Sequence, residues 1–312
     1  MTSVVGLRHC VMTTMSKTST TRHIALTTLW FLAAIGLIAL NWSLTDVQTG
    51  QLLYDVPHLA ELPELETPFL YLIVNGLSLL FPLLLSFDGR VHYYTRWRRL
   101  FPAIAIVGGF FIVWDVIFTA QEVWGFNPRY YYEPTKLLGL PLGEWLFFLV
   151  VPYCSIFIYS CLNYYVPRDV LGGIERWISI ALIALCLIIG VLWWEHRYTA
   201  TTFLLTGAFV GWQIWYYPRA KYRSRFYLAY LVTVVPFCIV NGILTGLLTA
   251  EPIVVYNPDE YLGIRLVSIP LDDLMYGFLL LFGIVTLMEG DGQRNPNLAR
   301  WAQYSGSWFR ID

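Results

Sequence analysis

Eight stretches of this chain are apolar and long enough to cross a lipid bilayer as helices, at roughly 20 residues each. They fall at approximately 24–43, 69–87, 100–120, 143–165, 175–194, 200–217, 226–249 and 270–288 of 312 residues. In lipid a backbone must satisfy its own hydrogen bonds, and a helix does so within one segment. The sequence therefore predicts an all-α polytopic membrane protein of about eight transmembrane helices. Composition agrees, because only 13% of residues are charged, against about 25% in a soluble domain. So few charges cannot cover a water-facing surface. A net charge of −1 gives no reason to expect a nucleic-acid partner.

Basic residues set the expected orientation. Sixteen of the 20 Lys and Arg fall on one side of the eight segments: Arg8, Lys17 and Arg22; Arg90, Arg96, Arg98 and Arg99; Arg168 and Arg176; Arg219, Lys221, Arg223 and Arg225; Arg294, Arg300 and Arg310. The other side has Arg129, Lys136, Arg197 and Arg265. The positive-inside rule then places both termini in the cytoplasm of a cytoplasmic-membrane protein. The basic leader and first apolar run lack an obvious small-x-small cleavage site, so a retained helix is expected rather than a signal peptide. The loop after it is acidic, with Glu61, Glu64 and Glu66, and reads as a linker. The short link at Glu195, His196 and Arg197 predicts a tight hairpin between the fifth and sixth helices.

An internal repeat organises most of the chain. The stretch 114–148 aligns with 240–277. Asp115 falls opposite Asn241, Phe126–Asn127–Pro128 opposite Tyr256–Asn257–Pro258, and Pro141-Leu-Gly-Glu144 opposite Pro270-Leu-Asp-Asp273. The expected division is 1–67 for leader, extra helix and acidic linker, 68–166 for the first repeat, 167–199 for a linking helix, 200–290 for the second repeat, and 291–312 for a cytoplasmic tail. Helices two to four and six to eight form the copies. A shift of four helices is even, so both copies cross the membrane in the same direction, as in parallel-repeat membrane proteins. Their proline–acid corners then share one membrane face, the extracytoplasmic one by the charge pattern.

Those corners carry candidate chemistry. Glu144, Asp272 and Asp273 sit in the first turn after Pro141 and Pro270. Proline suits a first turn and a carboxylate there complements the helix dipole. Yet ionisable groups at membrane depth are costly and mark function, and the duplication favours that reading. Asp115 lies inside "FFIVWDVIFTA" with no basic neighbour in sequence. It is either functional or an interhelical hydrogen-bond clamp. Asn127 and Asn257 precede prolines and suit turns. Trp114, Trp124, Trp145 and Tyr130–Tyr132 crowd the same end. They fit an interfacial belt or, through their faces, the stabilisation of a cation. Cys10, Cys154, Cys161, Cys186 and Cys238 form no CxxC and read as small buried hydrophobes. No nucleotide-binding glycine motif, GxSxG or HExxH occurs.

The stretch "SFDGRVHYYTRWRRLFPAIAIVGGFFIVWDVIFTAQEVWGFNP…LPLGEWLFFLVVPYCSIFIY" resembles the first repeat of the membrane-integral bacterial lycopene cyclases. "PFCIVNGILTGLLTAEPIVVYNPDEYLGIRLVSIPLDD" resembles the second. The resemblance covers about 68–290 and leaves out the first helix. That family is built from tandem lycopene cyclase domains, fused or as two small subunits. Its motif is Pro-x-Glu-Glu/Asp. Asp272 and Asp273 match the acidic pair; in the first repeat Gly143 stands where the pattern has Glu, leaving Glu144. The resemblance implies an isomerase of carotenoid biosynthesis (an intramolecular lyase) that cyclises ψ-ends of lycopene, through γ-carotene, to β-carotene. A proton adds at C2, the C1 cation is attacked by C5=C6, and a proton leaves C6. No cofactor and no metal are implied. The implied partners are lycopene or a related apolar carotenoid, membrane lipid and other carotenoid enzymes. Glu144, Asp272, Asp273 and Asp115 are the expected catalytic set, and Trp114, Trp124, Asn127, Trp145, Asn241 and Asn257 the expected substrate-binding set. Two other readings stay open: an ion- or proton-coupled transporter with Asp115, Glu144 and Asp272 on its path, and a cyclase homologue impaired by Gly143 that serves as a subunit.

Overall fold

The computed structural model of the chain describes residues 3–44, 51–218 and 220–290, with the backbone alone for 3–20 and 22. The expected tail at 291–312 and Arg219 lie outside the described residues. Eight α-helices form among them: α1 (Ser3–Leu44), α2 (Leu70–Leu85), α3 (Trp97–Ala120), α4 (Leu142–Tyr165), α5 (Glu175–Leu192), α6 (Arg197–Tyr216), α7 (Lys221–Leu244) and α8 (Leu271–Glu289). Six contain spans apolar and long enough to cross a membrane; α2, at 16 residues, is shorter, and α6 is less apolar. The protein is an all-α polytopic membrane protein.

The helices alternate, so their charged ends gather. Arg96 at the start of α3 meets Glu289 at the end of α8 at 2.9 Å. Arg223 at the start of α7 forks onto Glu175 at the start of α5, at 2.7 and 3.1 Å. Arg225 reaches Asn163 and the Pro167 carbonyl just beyond α4. These residues belong to the basic side of the sequence pattern. The opposite end holds the starts of α4 and α8 and the ends of α3 and α7. Helices α5 and α6 form the expected hairpin, packing along their lengths.

Each repeat sends a short strand from the end of its second helix. Strand β1 (Trp124–Phe126) follows α3 and β2 (Val254–Tyr256) follows α7. They pair antiparallel with Trp124 opposite Tyr256 and Phe126 opposite Val254. Their pairing ties the three-helix unit α2–α4 to the unit α6–α8. A second ribbon, β3 (Arg265–Leu266) with β4 (Ile269–Pro270), leads into α8.

The acidic segment read as a linker is more than that. Leu53 bridges to Tyr256, and the N–H groups of Leu59 and Leu62 donate to the carbonyls of Leu247 and Leu248. Glu66 accepts from Arg129 at 2.7 Å, from the Tyr130 hydroxyl at 2.8 Å and from the Ala250 N–H at 3.0 Å. The segment is a strap laid over the ribbon. Glu66 found Arg129, a basic residue of this end that lies far away in sequence.

Candidate active site

Proline at the N-cap of α4 and of α8 stops the preceding strand-like backbone and starts each helix. Glu144 and Asp273 therefore emerge in first turns on the same side of the membrane. Both are buried, at 7% and 5% exposure. They line one cavity together with Asp115 and Asn241.

The two repeats build this site in matching ways. The Tyr71 hydroxyl donates to Glu144 Oε2. At the corresponding place in the second repeat, the Tyr198 hydroxyl donates to Asp273 Oδ1 at 2.7 Å. Trp124 Nε1 donates to Asp115 Oδ1 at 2.5 Å. Its strand partner Tyr256 donates to Asp273 Oδ2 at 2.9 Å. Asp115 and Glu144 are both buried and line the same cavity. In the other repeat Asn241, which replaces an acid, donates to Asp273 Oδ2 at 2.7 Å. Asp273 is thus held by three donors, whereas Glu144 has Tyr71 and an acid neighbour. Asp115 Oδ2 is buried with no donor.

Aromatic rings form the walls. Tyr276 stands one turn after Asp273 on the same face of α8. Its ring meets Phe111 edge-on at 4.7 Å, Trp114 at 5.0 Å and Tyr198 at 5.9 Å. Trp124 meets Tyr198 at 4.9 Å. Farther along the membrane normal the lining becomes apolar, with Phe147 and Val151 from α4, Tyr230, Thr233 and Phe237 from α7, and Leu280 and Leu281 from α8.

Not every expected residue is here. Asp272 is fully buried but points elsewhere, accepting from Thr199 Oγ1 at 2.6 Å and from the Leu262 N–H at 3.2 Å. One residue is about 100° around a helix, so only one of two adjacent acids faces the cavity. Trp114 sits behind Tyr276 rather than in the lining. Trp145 faces away and donates to the Leu137 carbonyl. Asn127 caps a loop by accepting from the Arg129 N–H and donating to Glu251. Asn257 accepts from the Asp259 N–H in the same fashion. These two shape the turns that follow β1 and β2.

Tyr71, Tyr198, Tyr256 and Tyr276 were not anticipated. Tyr71 and Tyr198 occupy equivalent positions near the starts of α2 and α6, so extending the repeat comparison to those helices would have found them. Gly143, expected to be an acid, has a packing reason. A Cβ there would collide with the Tyr71 ring, and Asn75 Nδ2 donates to the Gly143 carbonyl at 2.9 Å. Tyr71 reaches Glu144 by lying across the space that a side chain at 143 would fill.

A family model described as lycopene cyclase matches the chain over residues 68–162 and 195–290. No curated protein and no solved structure gives a match. The two matched regions coincide with the two three-helix units that supply Glu144 and Asp273, and together they span well over half of the sequence. The chain belongs to the lycopene cyclase family.

Proposed function

We propose that this protein is a lycopene β-cyclase of the cytoplasmic membrane, with both termini on the cytoplasmic side and the site toward the opposite face. The observation that carries the chemistry is the unequal pair of carboxyl sites in one aromatic cavity. Cyclisation adds a proton at C2 of a ψ-end and removes one from C6, so it needs a proton donor and an acceptor and leaves the composition unchanged. Glu144 and Asp115, two buried carboxyl groups lining one cavity, suit the donor, because burial favours the neutral acid that gives up a proton. Asp273, held as an acceptor by Tyr198, Asn241 and Tyr256, suits the base that takes the proton from C6. Trp124, Tyr198 and Tyr276 present rings to the intervening cation, each worth roughly 0.5–2 kcal/mol. An apolar lining keeps water from capturing that cation. Asp272 serves the site by fixing the Leu262 turn and Thr199.

Expressing the chain in a lycopene-accumulating bacterium and separating the pigments tests the reading. Conversion to γ- and β-carotene is expected. Unchanged lycopene, with the protein demonstrably in the membrane, overturns it; rings of another double-bond isomer overturn the β assignment.

A further inference from the structure

The two repeats are similar, but their lipid-facing seams are not. Tyr71 with Tyr198, Asp115 with Asn241, and Glu144 with Asp273 fix which residues of the repeats correspond. The seam between α3 and α8 in one direction then matches the seam between α7 and α4 in the other.

Helix α1, which lies outside the matched regions, packs on α3, α6 and α8. Phe31 is 2% exposed and sits over Gly283, where an added Cβ would lie 2.5 Å from its ring. Its ring also meets Phe110 at 5.0 Å and Phe209 at 5.6 Å. Trp30 adds an edge contact to Phe209 at 4.7 Å. Beneath this cover Val107 and Phe111 are fully buried. Nearer the basic end, His23 binds the Tyr217 hydroxyl and the Thr286 carbonyl.

The corresponding positions in the other seam are less covered, although Thr233 is 4% exposed. Pro236, the counterpart of Phe110, is exposed, and Pro82, the counterpart of Phe209, is half-buried. Flanking side chains face outward, with Phe81 67% and Val235 65% exposed. The counterparts of Val107 and Phe111 are Thr233 and Phe237, and both line the cavity. On α7 the lining runs from Leu244 to Tyr230, roughly 21 Å at the helical rise.

We propose that the cavity has one lateral mouth, between α4 and α7, that α1 seals the pseudo-equivalent mouth between α8 and α3, and that one end group of a linear polyisoprenoid enters per visit. This rests on the cyclase reading. An extended C40 polyene is about as long as the hydrocarbon core is thick, ~30 Å, so the rest of the chain stays in lipid beside α2 and α7. Two ends then require two visits, with release of a monocyclic product between them.

The full chain in liposomes containing lycopene tests this with p-benzoylphenylalanine placed at Phe237 and, separately, at Trp30. Light should attach pigment covalently at position 237 and at least tenfold less at 30. The unsubstituted protein with excess lycopene should build a free monocyclic pool before bicyclic product appears. No pigment at 237, or equal labelling at 30, overturns the single mouth. Bicyclic product without a monocyclic pool overturns the one-end visit. Labelling at 237 with no cyclised product leaves the mouth standing and removes the cyclase reading; cyclised product with labelling at 30 does the reverse.

Discussion

Replacing Gly143 by alanine separates packing from chemistry at the site. Helix propensity alone favours the change by about 1 kcal/mol. The local geometry opposes it. An added Cβ would fall 2.6 Å from Tyr71 Cδ1 and 2.7 Å from Tyr71 Cβ, whereas carbon atoms rest about 3.5–4.0 Å apart. The ring must therefore retreat by about 1 Å. Tyr71 is 1% exposed, so there is little room, and overpacking of this kind costs about 1–3 kcal/mol. Retreat also pulls the hydroxyl off Glu144; a hydrogen bond to a neutral carboxyl contributes about 0.5–1.5 kcal/mol. The opposing effects together exceed the propensity gain, so Gly143→Ala should lower thermal stability in detergent. Because a 1 Å misplacement can cost about 100-fold in rate, cyclisation should fall by about that factor. Gly143→Glu, which restores the family's pattern, should be worse still. The assay is initial rate of pigment conversion in membranes, normalised to protein, beside a melting curve. Wild-type rate and stability in Gly143→Ala would refute the packing argument. A gain of activity in Gly143→Glu would instead show a missing catalytic acid.

The two adjacent acids of α8 should respond differently. Asp273→Asn should reduce cyclisation by about 10²–10⁴, the usual contribution of a general acid or base, with the protein still in the membrane. Asp272→Asn should chiefly lower stability and keep the rate within tenfold; equal rate losses in both would contradict their assignment to different surroundings. The strap over the ribbon should open at alkaline pH. Burial, with Glu66 adding to it, pushes the Tyr130 phenol up to about 12. The folded value lies above the ordinary tyrosine value of about 10, so stability from this phenol is complete below pH 10 and is lost as pH rises toward 12. Protease cleavage within 51–68 should therefore increase across that window. It should also increase at neutral pH in Glu66→Ala, which breaks contacts with Arg129, Tyr130 and Ala250.

Much of this protein is written in local sequence. Apolar runs of bilayer length cannot avoid becoming helices, because lipid offers their backbones no partner. The parallel repeat follows from an even helix shift, and the proline–acid corners from residues adjacent in the chain. Sequence could also place Glu144 and Asp273 on the same membrane face. It could not decide which of Asp272 and Asp273 faces inward, since that turns on helix rotation set by packing against α6 and α7. Nor could it supply Tyr71, Tyr198 and Tyr256 as partners, because each reaches its carboxylate from a different element. It read Gly143 as a lost acid, whereas the fold uses the empty space for a tyrosine ring. The role of α1 was out of reach for the same reason. Its sequence says only that it can lie in a membrane. Which of two nearly equivalent seams it covers depends on side chains far apart in the chain, where Phe110, Phe209 and Gly283 take up the ring of Phe31.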